Sequence, residues 1–354
     1  MKVFFRRFII ILSLLIATLA ATQRAEAISF ALDSIAEWGK FPRFCVNTYR
    51  WGDKFFNGYD TTYVKGTGYK FNVKLTSDSW VDAYNFELPN DKRIFMRGDP
   101  SSSLGIYLSY LAVSVGYDMN LSKIFGGIDR SRERWRFGFN CSLLAAEVYY
   151  SRNDVGTTIT RFGDKHHPQK YDQPFNGVNN NTWGLDAYYF FNHKEYSEAA
   201  AFSYSRVQIK SQGSFHTGLS IYAQKLDFNF SSLPIDMKSQ LPSGWLGYRY
   251  HVNTNNYALR FGYGYNWVFA RGWLLGVSES PVIGIRHGFI NSDTEKVSLS
   301  IYNRLKAAVV WNSGRWFAGI NGRFDVAILS DKESVYAGGV GSVEAVIGCR
   351  FNLW

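Results

Sequence analysis

From Tyr257 to Trp267 the odd positions are Tyr257, Leu259, Phe261, Tyr263, Tyr265 and Trp267, and the even ones Ala258, Arg260, Gly262, Gly264 and Asn266. A period of two held this long places every large apolar group on one face of a single extended strand. The run is also about as long as a tilted strand needs to be to cross the hydrocarbon of a bilayer. Its apolar face would be the core of a soluble sandwich or the lipid-facing side of a membrane barrel, and period alone does not separate the two.

The same alternation recurs. Leu299, Ile301, Leu305, Ala307, Val309 and Trp311 alternate with Ser300, Tyr302, Arg304, Lys306 and Ala308. Trp316, Ala318, Ile320, Phe324 and Val326 then face away from Gly319, Asn321, Arg323 and Asp325, and Val343 to Leu353 face away from Glu344, Val346, Gly348 and Arg350. Noisier strands are predicted around Tyr69–Leu75, Leu111–Tyr117, Trp135–Leu143 and Trp183–Phe191.

Connections discriminate better than strands. Trp267 and Trp273 flank a short turn at Arg271-Gly272, and Trp311 and Trp316 flank another at Asn312-Ser313-Gly314. Bacterial barrels pair short periplasmic turns with longer outer loops and place aromatic girdles at the interfaces. On that rule Trp267, Trp273, Trp311, Trp316 and Trp354 form one girdle at the periplasmic rim. Loops at about 288–296 and 330–338, both polar and charged, lie on the outer side. Residues 151–181, rich in Asn and Gly, read as one long outer loop. The fold expected is all-β, an antiparallel transmembrane β-barrel of about twelve strands, within a range of ten to fourteen, spanning 61–354. Pairing of the last strand, 339–353, with the first, near 69–75, would establish the barrel.

Composition agrees. Aromatic residues make up 18% of the chain, yet mean hydropathy is −0.19, which suits a barrel in which only alternate residues meet lipid. Lys2, Arg6 and Arg7 precede the apolar stretch Phe8–Ala21, and Ala25-Glu26-Ala27 offers a cleavage site. Residues 1–27 therefore read as a signal peptide rather than a retained anchor helix. Its removal lowers the net charge from +10 to +7, since it takes away four bases and one acid. Residues 28–60 show no sustained period and read as a periplasmic segment with a short helix near Ala31–Trp38. Cys45, Cys141 and Cys349 are too few and too widely spaced for a disulfide framework or a metal site.

At 59–80 the sequence reads YDTTYVKGTGYKFNVKLTSDSW. With the signal peptide and the aromatic strands, this stretch resembles an uncharacterised Bacteroidetes family known only as a domain of unknown function (number 4421). The resemblance implies an outer-membrane barrel over most of the mature chain and brings no catalytic residues with it.

By phase, the lumen would hold Lys70, Lys74, Asp186, Arg260, Arg304, Lys306, Arg323, Asp325, Glu344 and Arg350. They read either as a pore lining with a basic bias, which would favour anions, or as salt-bridged packing in a narrow bore. Glu279 falls on the lipid-facing phase, and a bulge at Glu279-Ser280-Pro281 would turn it inward. Ser214 lies near His216, but no recognised Ser/His/Asp spacing is present. His166-His167 reads as a solvated loop pair, and Gly66-Thr67-Gly68 as the flexible start of a strand. No catalytic residue, metal or cofactor is expected. The expected partners are outer-membrane lipids and the barrel-assembly machinery, and nucleic acid is not among them. The function implied is a narrow or occluded barrel with a structural, interaction or minor transport role. The alternatives are an outer-membrane enzyme acting on lipid or lipopolysaccharide and a secreted soluble β-protein.

Overall fold

A computed structural model describes residues 39–40, 43–44, 47, 55–56, 58–88, 90–110, 113–121, 132–153, 156–243, 249–290, 296–330 and 335–352. The signal-peptide segment, the expected helix at Ala31–Trp38, Cys45 and Trp354 lie outside the described residues. The strands all belong to one compact unit, Phe56–Asn352.

The strands are β1 (Val64–Gly66), β2 (Phe71–Leu88), β3 (Lys92–Gly98), β4 (Ser101–Tyr110), β5 (Val113–Asn120) and β6 (Arg132–Asn140). They continue as β7 (Leu144–Asn153), β8 (Thr157–Asp164), β9 (Gln169–Phe175), β10 (Val178–Phe190), β11 (Arg206–Gln208) and β12 (Gln212–Asn229). The last five are β13 (Arg249–Ala270), β14 (Trp273–Ile290), β15 (Lys296–Asn312), β16 (Trp316–Ser330) and β17 (Val335–Phe351). Helix α1 covers Glu198–Phe202 and α2 covers Ile235–Lys238.

Twelve strands form a closed antiparallel ring in the order β2, β4, β5, β6, β7, β10, β12, β13, β14, β15, β16, β17. Closure runs from Phe71↔Phe351 to Val335↔Glu87, so the ring of described strands has no open edge. The ladder shows twelve strands, within the expected range of ten to fourteen, and the last strand pairs with the first.

The alternation read from the sequence sets the faces. On β13 Tyr257, Leu259, Phe261, Tyr263, Tyr265 and Trp267 are exposed, while Ala258, Arg260 and Asn266 are buried. Leu75, Ile106, Val148, Leu185, Leu219, Ile283, Ile301, Ile320 and Ile347 carry the exposed apolar belt around the ring. Such a surface is far larger than a soluble monomer exposes and suits lipid. Trp267, Trp273, Trp311 and Trp316 are exposed at the short-turn rim. The two turns there are tight, with Gly272 at φ 77° and Gly314 at φ 88°, a region L side chains rarely adopt.

Two expectations are corrected. Residues 151–181 are not one loop: β8 pairs with β3 and with β9, and β3 pairs with the upper half of β2. These three strands form a branch beyond the ring at the long-loop end. Nor does a bulge turn Glu279 inward. The β14–β15 register runs unbroken from Trp273↔Trp311 to Gly288↔Lys296, so Glu279 keeps its outward phase. There its carboxylate accepts a 3.0 Å hydrogen bond from the outward Asn303 amide of the neighbouring strand.

Candidate functional site: a charged chamber between a clamp and a plug

The bore is bridged at the long-loop end by its own wall. The inward positions of β2, β12 and β13 turn apolar near that end, with Tyr84, Phe86 and Leu88 facing Leu226, Phe228, Tyr250 and Val252, all buried. The ring order places β2 opposite β12. Phe86 therefore meets Phe228 across the barrel, at 4.2 Å between ring centroids and 78° between planes. Tyr250 lies 5.3 Å from Phe86. Such edge-to-face pairs add about 0.5–1.5 kcal/mol each beyond their burial. The branch covers this clamp with Ile94, Met96, Ile159, Phe162 and Phe175, and Met237 of α2 packs beside them.

At the short-turn end the closure is a separate piece of chain. The connection from β10 to β12, residues 191–211, folds into α1 and β11, and β11 pairs with β1 from the segment ahead of the barrel. Ala199, Ala200, Ala201 and Tyr204 are buried, the last three against Leu274, Val310, Phe317 and Val346 of the wall. Glycines on the inner wall make the space. A Cβ at Gly276 would lie 2.6 Å from the Ala201 Cβ, one at Gly319 2.6 Å from the Tyr204 hydroxyl, and one at Gly264 2.3 Å from the Tyr196 hydroxyl.

Polar bonds then pin this plug. Arg350 donates to the Tyr204 carbonyl from Nη2 at 2.6 Å and from Nε at 3.2 Å. Tyr204 sits at φ 62°, a conformation that costs a bulky residue energy and persists because its surroundings hold it. Its ring stacks on Phe317 at 5.0 Å. The Asn266 amide donates to the Ser197 carbonyl at 2.8 Å, and the Gln208 amide donates to the carbonyls of Glu195, Lys210 and Tyr63.

Between the closures lies a polar chamber, two cavities of about 240 and 190 Å³ that share Arg136, Glu147, Arg304, Arg323 and Ser342 in their walls. Asp186 is its centre. It accepts from Arg260 at 3.1 Å and Arg304 at 2.9 Å, and Ser220 donates to it as well. Arg304 also binds Asp325 at 2.9 Å, and Asp325 in turn holds Arg323. Nearer the plug, Arg136 joins Asp118 at 3.0 Å and Glu344 at 3.4 Å, and Lys306 pairs with Glu198 of α1. Lys74 lies over the Tyr107 and Tyr204 rings.

Nine of the ten charges named from phase are thus placed in the lumen or on the plug contact. Lys70 is the exception: it precedes β2 and is exposed at the rim, its backbone N–H bonded to the Asn352 side chain. The phase reading omits Arg136, Arg286, Asp78, Asp82, Asp118, Glu147 and Glu198. With the five acids included, the described lumen is near charge balance, not basic. The alternation on β2, with Thr76, Asp78 and Asp82 on one phase, carries that signal.

The hydroxyl beside His216 belongs to Ser280, not Ser214. Nε2 of His216 lies 2.8 Å from the Ser280 Oγ, and both residues are buried on the inner face. Nδ1 of His216 has no hydrogen-bond partner among the described residues. A nucleophile–base pair needs a third group to orient the base, and none meets Nδ1 among the described residues. His166 and His167 donate their backbone N–H groups to Asp164, whose carboxyl those bonds hold below the usual range.

The family model described as "Domain of unknown function (DUF4421)" matches residues 58–351. The chain belongs to this family. No curated protein matches it by sequence. Among solved structures, the translocator domain of the autotransporter NalP from Neisseria meningitidis is similar, at 13% identity and a TM-score of 0.39, covering 92% of this chain and all of that one. The outer-membrane protease OmpT from Escherichia coli has 7% identity and a TM-score of 0.37, covering 80% of this chain and 97% of that one. The β domain of the Bordetella autotransporter BrkA has 10% identity and a TM-score of 0.32, covering 78% and 99%. This family member is an outer-membrane-type β-barrel by its own ladder and belt.

Proposed function

We propose that this protein resides in the outer membrane of a Gram-negative bacterium as an occluded barrel, serving a structural or interaction role without steady conduction. Residues 1–27 would be the signal peptide, the barrel-assembly machinery would insert the chain, and the tryptophan rim would face the periplasm. The apolar belt and its short-turn girdle support the location. The observation that carries the occlusion is the pair of closures in series, Phe86 against Phe228 at one end and α1 with Tyr204 at the other. The near balance of lumen charge favours packing over an ion path, because each buried guanidinium that meets a carboxylate gains little by exchanging it for a passing ion.

Proteoliposome efflux tests this. Vesicles carrying the folded protein should release entrapped chloride, potassium or a monosaccharide no faster than empty vesicles. Release that scales with protein content would overturn the reading.

A further inference from the structure

We infer that the upper half of the chamber is a binding site for a single oxyanionic group, a phosphate or a carboxylate, held by Arg286. The inference goes beyond the closed-barrel reading and does not depend on whether anything crosses the membrane.

Arg286 projects inward from β14 and is 2% exposed, among the most deeply buried large side chains of the described residues. Its hydrogen bonds go to neutral groups alone: Nε donates to the Asn256 side chain at 2.9 Å and Nη2 to the Ser300 hydroxyl at 3.2 Å. No carboxylate among the described residues lies within ion-pair reach of it. That sets it apart from Arg136, Arg260, Arg304 and Arg323, each of which has an acid. A guanidinium taken out of water without an anion is costly, and proteins almost always supply one.

The remaining nitrogen, Nη1, has no hydrogen-bond partner among the described residues. Arg286 lines the cavity of about 240 Å³, many times the ~10–15 Å³ that accommodates one water. The wall beside it carries neutral hydrogen-bonding groups, Tyr222, Thr182 and Gln224. Tyr222 also meets the Ser300 hydroxyl at 3.4 Å, so the shelf around the guanidinium is tied together. Three acids line the same cavity, Asp82, Glu147 and Asp325; Asp325 is already held by Arg304 and Arg323, and Asp82 has an interaction of its own. An oxyanion can take Nη1 of Arg286 with hydroxyl donors at its sides. Two of the three guanidinium nitrogens are fixed beforehand, so little ordering is needed on binding.

The test is thermal unfolding of the detergent-folded full chain, titrated with sodium phosphate and, separately, sodium succinate, against sodium chloride at matched ionic strength. Phosphate, succinate or both should raise the midpoint by roughly 2–4 °C over chloride at saturation. Whichever of the two acts names the oxyanion. Arg286→Gln should abolish that shift, whereas Arg93→Gln, on the branch strand β3 outside the ring, should leave it intact. Should Arg286→Gln fail to fold, Arg286→Lys keeps the charge, loses the fork, and should weaken apparent affinity at least about tenfold. The proposal is overturned if neither anion outdoes chloride, or if the Arg286 variants respond as the wild type does.

Discussion

The two ends of the bore are closed by different chemistry. The long-loop end is shut by the wall itself, through aromatic side chains that reach across from opposite strands and a branch of three strands laid over them. The short-turn end is shut by a segment that is not part of the ring, seated on glycines and fixed by discrete hydrogen bonds. A hydrophobic clamp built into the wall opens only if the barrel deforms. A plug held by directional bonds can leave while the barrel stays whole. Closure and barrel stability are therefore coupled at one end and separable at the other.

Three substitutions can break that distinction, and the largest effect is expected at the clamp. Phe86→Ala should cost about 3–5 kcal/mol of barrel stability, as other buried aromatic truncations do. The shift would be read from the urea midpoint of the heat-modifiable band. A loss below about 1 kcal/mol would mean the clamp is incidental to the barrel.

At the plug, Gly276→Leu drives a side chain into Ala201, and overpacking of this kind costs ~1–3 kcal/mol. That should raise proteolysis within 191–211 roughly tenfold while the urea midpoint of the barrel barely moves. A parallel fall in barrel stability would erase the difference between the two ends. Arg350→Met is milder. It leaves the Tyr204 carbonyl without its guanidinium, at ~1–3 kcal/mol, and hydrogen exchange should quicken in 196–208 and not in β13 or β14.

Much of the barrel is legible in the sequence, and the residues show why. The exposed face of β13 follows directly from Tyr257–Trp267, because a period of two fixes facing whichever solvent lies outside. The approximate strand number follows from counting such runs, whereas closure is seen only in the pairing of β17 with β2. The clamp is harder to read because Phe86 and Phe228 sit on the polar phase of their strands, where an apolar residue looks like noise. Only the ring order shows that they meet. The plug escapes a sequence reading for a similar reason: Glu198–Phe202 is too short to show a helical period, and Gly276 and Gly319 read simply as small inward residues. At Glu279 the expectation of a bulge rests on the cost of an acid facing lipid, yet the ladder stays unbroken with Asn303 beside it. The Asp186 network needs the third dimension, since Arg260, Arg304 and Ser220 come from three strands.

Single-channel recording in planar bilayers tests the two-closure account most directly. Four proteins would be compared: the wild type, Phe86→Ala, a chain with 193–210 replaced by a short Gly/Ser linker, and the combination. Two closures in series predict silence from the first three and discrete conductance steps from the combination alone. Steady steps from the wild type, or from either single change, would contradict it.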